Sequence, residues 1–288
     1  MTTLDKSTQP QTSGLTNFWQ RIPVLIRAII SGIFVTFVGV GVWLLFLAVI
    51  PAPWSVIAMG GYLWLYWKYF SGSWWPRTTA EARSKNFRAI KLSADIWKWG
   101  LAGAFLYVAV SQSTVVLTLR LFEFPAEASA DYGLDALPVW EAWIIIIMAS
   151  LVAGICEETG FRGYMQVPLE ERYGPVAGIT IVSILFTVFH LNQAWAGPVL
   201  LQIFALGVLF GILAYASGSL ISSIIGHTIM DIFNFAFWWT DLGGDFELQT
   251  IAVTGIDPLF ITAVIVFVAS LALFFWVARK MVAVRLHI

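Results

Sequence analysis

Charged residues are scarce in this chain of 288 residues: they make up 11% of it, whereas hydrophobic residues make up 59%. Soluble domains contain about 25% charged residues, so the composition excludes an ordinary soluble protein and indicates an integral membrane protein. The net charge of −1 gives no basis for a nucleic-acid partner. The single cysteine, Cys156, excludes an intrachain disulfide framework.

The chain also lacks an evident internal repeat and the small-residue cleavage pattern of a secretory signal peptide. Residues 1–22 are polar and rich in Thr, Ser and Gln. We therefore expect a disordered N-terminal tail over 1–22 and a single transmembrane domain over 23–288.

Long apolar runs dominate the remainder. A transmembrane helix requires about 20 apolar residues, and the segment 54–70 is the weakest candidate because it is short and interrupted by glycine. The candidate spans are 25–50, 54–70, 97–120, 139–162, 174–193, 198–217, 219–239 and 258–278. This pattern predicts an all-α, polytopic membrane helix bundle with about eight transmembrane helices.

Basic residues predict the orientation of the bundle. If the N-terminus is cytoplasmic, every one of the 16 Lys and Arg residues except Arg120 falls on the cytoplasmic side. Positive charge accumulates on that side of membrane proteins, so we expect both termini to be cytoplasmic, in a multi-pass protein of the bacterial inner-membrane type. The segment 71–96 is the longest cytoplasmic connection; its charges either reflect this rule alone or bind anionic lipid.

Ionisable residues inside predicted spans are the main functional signal. Each one costs about 2.5–3.5 kcal/mol near the bilayer centre, so these side chains should face one another or water. Glu158 and Arg162 are four residues apart and can pair on one helical face, which predicts structural support. Glu157 points away from that pair and is free to act as a general base. The alternative is a cytoplasmic helix end with ordinary solvated charges.

A second signal comes from the depth of His190. If the chain turns near 173–174, Glu157 and His190 lie about sixteen residues on either side of that turn. Antiparallel helices of equal rise would then bring the carboxylate and the imidazole to the same depth. This argument requires continuous helix around Pro168.

The third signal is the pair His227 and Asp231, four residues apart on one predicted helical face. Asn234 lies on nearly the same stripe. A histidine and a carboxylate at this spacing can ligate a metal, hold a water or form a hydrogen-bonded pair between helices.

Together these residues fit the activation of water against a carbonyl group. In one version Glu157 takes the proton, His190 helps to hold the water and His227 donates to the oxyanion. In the other version the same three residues and Asp231 bind one divalent metal ion, zinc, which polarises water and carbonyl. No Ser, Cys or Thr nucleophile stands out beside them.

Three motifs now suggest a family. The segment EETGFR at 157–162 resembles the E-E-x-x-x-R motif of the CPBP family of intramembrane proteases, which includes the CAAX prenyl endopeptidases and the Abi-type bacterial proteins. The segment FTVFH at 186–190 resembles its second motif, and HTIMD at 227–231 resembles its H-x-x-x-[N/D] motif. The matching region, 139–239, is the expected protease-like core.

The resemblance implies that Glu157 and His190 activate water, while His227 and residue 231 stabilise the tetrahedral intermediate. The prenyl-endopeptidase form of the third motif has Asn where this chain has Asp231. An aspartate donates a hydrogen bond only when it is protonated. Either Asp231 carries a proton, or Asn234 supplies the oxyanion donor instead, or Asp231 is a metal ligand.

These observations favour an intramembrane endopeptidase of the CAAX-protease or bacteriocin-processing type. Its partners would be membrane lipid and a peptide or protein substrate, prenylated or not, that reaches a cavity open to the cytoplasmic leaflet. Two alternatives remain: a non-catalytic membrane protein for bacteriocin immunity, and an ion- or proton-coupled transporter that uses the same groups as a relay.

Overall fold

A computed structural model describes residues 14–88, 92–123, 133–134, 136–193, 197–240, 242–244 and 248–286 of the chain. Within these ranges the regular structure is entirely helical, which confirms the predicted all-α membrane bundle. The α-helices are α1 (Gly14–Arg21), α2 (Val24–Val49), α3 (Trp54–Phe70), α4 (Ala80–Phe87), α5 (Ala94–Leu121), α6 (Val139–Val152), α7 (Gln166–Tyr173), α8 (Pro175–Val188), α9 (Gly197–Ser217), α10 (Ile221–Asn234), α11 (Ile251–Thr254) and α12 (Pro258–Leu286).

Two π-helical segments, Ala153–Met165 and Phe235–Trp239, interrupt this α-helical pattern. The first joins α6 to α7, so that helix continues from Val139 to Tyr173. The second extends α10. A π-helix is rare and occurs frequently at functional sites, and the apolar periodicity of the sequence did not predict either segment.

Five helices in the described ranges are long and apolar enough to cross a membrane, as expected of a multi-pass membrane protein. They are Val24–Val49, Ala94–Leu121, Val139–Tyr173, Gly197–Ser217 and Pro258–Leu286. Each of the other predicted spans also coincides with a helix, but these helices are shorter. The count of eight spans and the cytoplasmic termini therefore stay predictions.

Helix α1 lies inside the segment 1–22, for which the sequence predicts a disordered tail. Residues 1–13 of that segment lie outside the described residues. Its Phe18 and Trp19 side chains are exposed to the surroundings of the bundle. Aromatic side chains of this kind favour the boundary between membrane and water. Two exposed aromatic side chains therefore favour a position of α1 at that boundary, although the sequence around α1 is polar.

The turn between α7 and α8 occurs at Gly174, as predicted. The φ angle of Gly174 is 85°, a left-handed conformation that glycine adopts without a steric penalty. Pro168 lies within α7 and does not break it. Helix α8, however, ends at Val188, so His190 lies in the turn that follows the helix and not within it.

The first π-helical segment packs closely against α2 because both carry glycine at the contact. A side-chain carbon added to Gly160 would collide with the backbone of Gly32 and with Thr36. A carbon added to Gly39 would likewise collide with the side chain of Cys156, which is fully buried. Cys156 is thus a small packing residue at this contact.

We expect the Gly160→Ala substitution to destabilise the protein by about 1–3 kcal/mol, the usual cost of overpacking a tight contact. The change should be measured as the shift in thermal unfolding of the purified protein. Gly41→Ala in α2 is the matched control, because nothing lies within 4 Å of a carbon added there. Equal stability of the Gly160→Ala and Gly41→Ala variants would contradict the close packing.

Candidate active site

The first two acidic residues of the site lie next to each other in the π-helical segment but in different surroundings. The Glu158 side chain is 0% exposed, whereas the Glu157 side chain is 20% exposed. Glu157 is therefore the more accessible of the two carboxylates. Glu158 is available only to the residues packed around it.

Glu158 forms a buried ion pair with Arg162, as their spacing predicts. The Oε1 atom of Glu158 lies 3.0 Å from Nη1 of Arg162, and both side chains are 0% exposed. Arg162 also donates a hydrogen bond from Nη2 to the backbone carbonyl of Gly207 in α9, at 3.3 Å.

Aromatic rings surround the Arg162 guanidinium group. Its central carbon lies 4.3 Å from the ring centre of Phe186, 5.0 Å from that of Phe210 and 5.9 Å from that of Phe161. Desolvated cation–π contacts of this kind are worth about 2 kcal/mol or more. The three rings form an aromatic cage that holds the guanidinium group in one position. The ion pair then holds Glu158 beside it.

Sequence reasoning missed Phe210, because a phenylalanine in an apolar helix carries no signal of its own. In the structure its ring also stacks on the imidazole of His227, with ring centres 4.6 Å apart and ring planes 24° apart. Phe210 is therefore shared between the arginine and the histidine of the site.

His227 connects the buried ion pair to the more accessible carboxylate. Its Nδ1 lies 3.0 Å from Oε1 of Glu158, a contact in which the nitrogen must donate because the carboxylate only accepts. Its Nε2 lies 3.5 Å from Oδ2 of Asp231 and 3.9 Å from Oε2 of Glu157. Three of the predicted site residues, Glu157, Glu158 and Asp231, thus converge on one imidazole.

The contact between His227 and Glu158 was not predicted. Sequence spacing assigned Glu158 only to Arg162, and the two residues of the new contact are 69 positions apart. A carboxylate that holds one imidazole nitrogen sets which tautomer the ring adopts. Glu158 therefore orients His227 in addition to pairing with Arg162.

His190 lies beside the same aromatic cage. Its Nδ1 is 2.8 Å from the backbone carbonyl of Phe186, so this nitrogen donates and Nε2 is left to accept a hydrogen bond. The Phe186 ring centre is 4.6 Å from that of His190 and 6.3 Å from that of His227. The ring centres of His190 and His227 are therefore no further apart than the sum of these two distances. Within the described residues, no direct hydrogen bond or ion pair joins the two side chains.

Asn234 is part of a separate group of contacts. Its Oδ1 accepts a hydrogen bond of 3.0 Å from Nε2 of Gln112 in α5, and Gln112 in turn accepts one of 2.7 Å from Trp238. In the part of the chain that is described, no hydrogen bond joins Asn234 to His227 or Asp231. Its role as an oxyanion donor stays a prediction.

The donor arrangement gives the zinc version of the site no support. Zinc requires about three protein donors, each roughly 2.0–2.3 Å from the ion. No group of three or more His, Cys, Asp or Glu side chains among the described residues is arranged to hold a metal ion. Metal binding by Glu157, His190, His227 and Asp231 therefore also stays a prediction, and the reaction proposed for this site uses no metal.

Comparison with known proteins agrees with this geometry. Residues 138–233, a third of the chain, match the family model described as type II CAAX prenyl endopeptidase Rce1-like. A search of curated proteins and a search of solved structures each found no significant match. The matched segment contains His227 and the three carboxylates that contact it, together with the three sequence motifs. Over this segment the chain is similar to the CAAX-type membrane proteases, the family that the three sequence motifs resemble.

Proposed function

We propose that this protein is an intramembrane endopeptidase in which Glu157 activates a water molecule for attack on a peptide bond. The observation that carries the proposal is the position of His227. One of its nitrogens is held by the buried Glu158, and the other faces the accessible Glu157 and Asp231. A reactive carboxylate beside an oriented imidazole is an arrangement for general acid–base catalysis.

The first step is proton removal from water. Glu157 takes the proton, and the water oxygen forms a bond to the carbonyl carbon of the substrate. His190 supports this step because its Nε2, which is left as an acceptor, can take a hydrogen bond from the same water. The product of this step is a tetrahedral intermediate with a negatively charged oxygen.

His227 would stabilise that oxyanion. In its protonated form the ring donates from both nitrogens, from Nδ1 to Glu158 and from Nε2 toward the space shared with Glu157 and Asp231. Fixed donors of this kind are usually the largest contribution to catalysis of acyl transfer. The aromatic rings around Arg162, one of which also stacks on His227, keep the imidazole in place as negative charge develops on the substrate oxygen.

Collapse of the intermediate completes the reaction. The carbon–nitrogen bond breaks, and Glu157 returns its proton to the departing amine. The products are a new carboxyl terminus and a new amino terminus, and Glu157 is regenerated as a carboxylate. No covalent intermediate with the protein is needed.

The family implies a peptide or protein substrate. We propose more narrowly that the substrate is a CAAX-type or bacteriocin-type peptide that reaches the site from the cytoplasmic leaflet. The test is incubation of the purified protein with prenylated and unmodified forms of one peptide, followed by mass spectrometry of the products. We expect cleavage that is insensitive to serine-directed reagents. Binding without cleavage would favour the immunity alternative, and ion flux in proteoliposomes that depends on Glu157 would favour a transporter.

Metal removal provides a further prediction. The Asp at position 231 alone suggests a ligand, but no group of three or more His, Cys, Asp or Glu side chains among the described residues is arranged to hold a metal ion. We therefore expect peptide cleavage to continue at an unchanged rate in a stringently metal-free preparation that contains a strong chelator. Loss of cleavage that added zinc restores would overturn the metal-free mechanism.

A further inference from the structure

A cavity separate from the catalytic residues lies where α1, α2, α4 and α7 meet. Its volume is about 390 Å³, within the range of small-molecule sites. Neither Glu157 nor His227 is among the residues that line it. The proposed protease mechanism leaves this cavity without a role.

The charges that line the cavity are predominantly positive. Arg27, near the start of α2, and Arg172, in the last turn of α7, both line it. Among the described residues that line the cavity, the carboxylate is that of Glu171, and Lys85 of α4 forms an ion pair of 2.8 Å with it. No ion pair to Arg27 or Arg172 is found within the described ranges. Two guanidinium groups therefore face the cavity without an anionic partner.

The lining also contains polar groups whose hydrogen-bonding capacity is unused. The Nε atom of Arg27 and the hydroxyl group of Tyr164 are buried, and neither has a hydrogen-bond partner in the described part of the chain. Leaving such a group unpaired costs about 1–3 kcal/mol. A ligand with several acceptor oxygens, such as a phosphate group, offers hydrogen-bond partners to the arginine and tyrosine side chains of the lining.

The position of the cavity indicates where that phosphate comes from. Arg27 is four residues into the apolar helix α2, and Trp19 of α1 also lines the cavity. The exposed Phe18 lies next to Trp19, and exposed aromatic side chains mark the membrane–water boundary. The cavity thus straddles the level at which phospholipid headgroups lie.

We propose that this cavity binds the phosphate-bearing headgroup of an anionic phospholipid. Arg27 and Arg172 would contact the phosphate oxygens, Tyr164 would donate a hydrogen bond, and the acyl chains would extend along the apolar surface of α2. The inference does not depend on the proposed protease activity. It assigns to α1, α2 and α7 the lipid binding that sequence reasoning considered for the segment 71–96.

The test is native mass spectrometry of the full chain in detergent, titrated with phosphatidylglycerol and, separately, with phosphatidylcholine. The wild-type protein should retain phosphatidylglycerol more tightly than the zwitterionic lipid. Arg27→Gln and Arg172→Gln should each weaken phosphatidylglycerol binding about fivefold, and the double variant about 25-fold, because each basic residue near an anionic surface contributes on this scale. Arg279→Gln, at an exposed arginine of α12, is the matched control for charge and should leave binding unchanged.

A second variant separates the cavity from general surface charge. Ser31→Phe places a ring in the lining without altering charge, and it should also weaken phosphatidylglycerol binding. Unchanged binding in this variant and in the double variant, or an equal loss in Arg279→Gln, would overturn the proposal. Full displacement of the lipid by millimolar inorganic phosphate would show a site for soluble phosphate and would also overturn it. Thermal unfolding confirms that each variant is folded, and no readout requires protease activity.

Discussion

Replacing Glu157 with glutamine should lower the rate of peptide cleavage by about 10²–10⁴-fold, the usual contribution of a general acid–base residue. Glutamine has nearly the same shape as glutamate but cannot take a proton from water or return one to the departing amine. The rate should be measured as initial product formation by the purified protein. We expect the variant to stay folded, because Glu157 is partly exposed and its nearest ionic contact, with His227, is as long as 3.9 Å.

The matched control for this experiment is Glu141→Gln. Glu141 lies in the first turn of α6, about four turns before Glu157 in the same continuous helix, and its replacement removes the same charge. Cleavage by this control variant should equal that of the wild type. A fully active Glu157→Gln variant would refute the assignment of Glu157 as the base, whereas an inactive variant with lowered thermal stability would indicate a structural role.

Replacing Arg162 with methionine should lower the free energy of unfolding by about 3–5 kcal/mol, the usual cost of removing one partner of a buried ion pair. The loss arises because the carboxylate of Glu158 remains buried without the arginine that balances its charge. Methionine fills much of the space between the aromatic rings, so lost packing contributes little. The change should be measured by comparing the thermal unfolding of the purified wild-type and variant proteins in detergent.

A double variant distinguishes charge pairing from packing. Glu158→Leu together with Arg162→Met removes both charges, so its stability should be higher than the sum of the two single losses predicts. Cleavage should nevertheless stay lost, because Nδ1 of His227 then has no carboxylate to hold the ring in place. Additive losses in the double variant would show that the two side chains are not energetically coupled.

The helices and one contact of the site could be predicted from local patterns. The predicted boundaries of α2, α3 and α9 agree with the structure because apolar runs of a given length act within a single segment. The Glu158–Arg162 pair was predicted for the same reason, since residues four apart meet on one helix. The same local reasoning failed at the first π-helical segment, where close packing against α2 accompanies a widened helix.

Contacts between distant segments could not be predicted in this way. No spacing rule relates Glu158 to His227, or Phe210 to Arg162, because each pair joins different helices. The motifs were sufficient to identify which ionisable residues the membrane segments carry. Which carboxylate is buried and which is partly exposed depended on packing, because burial is a property of all the surrounding helices and not of the one that carries the residue.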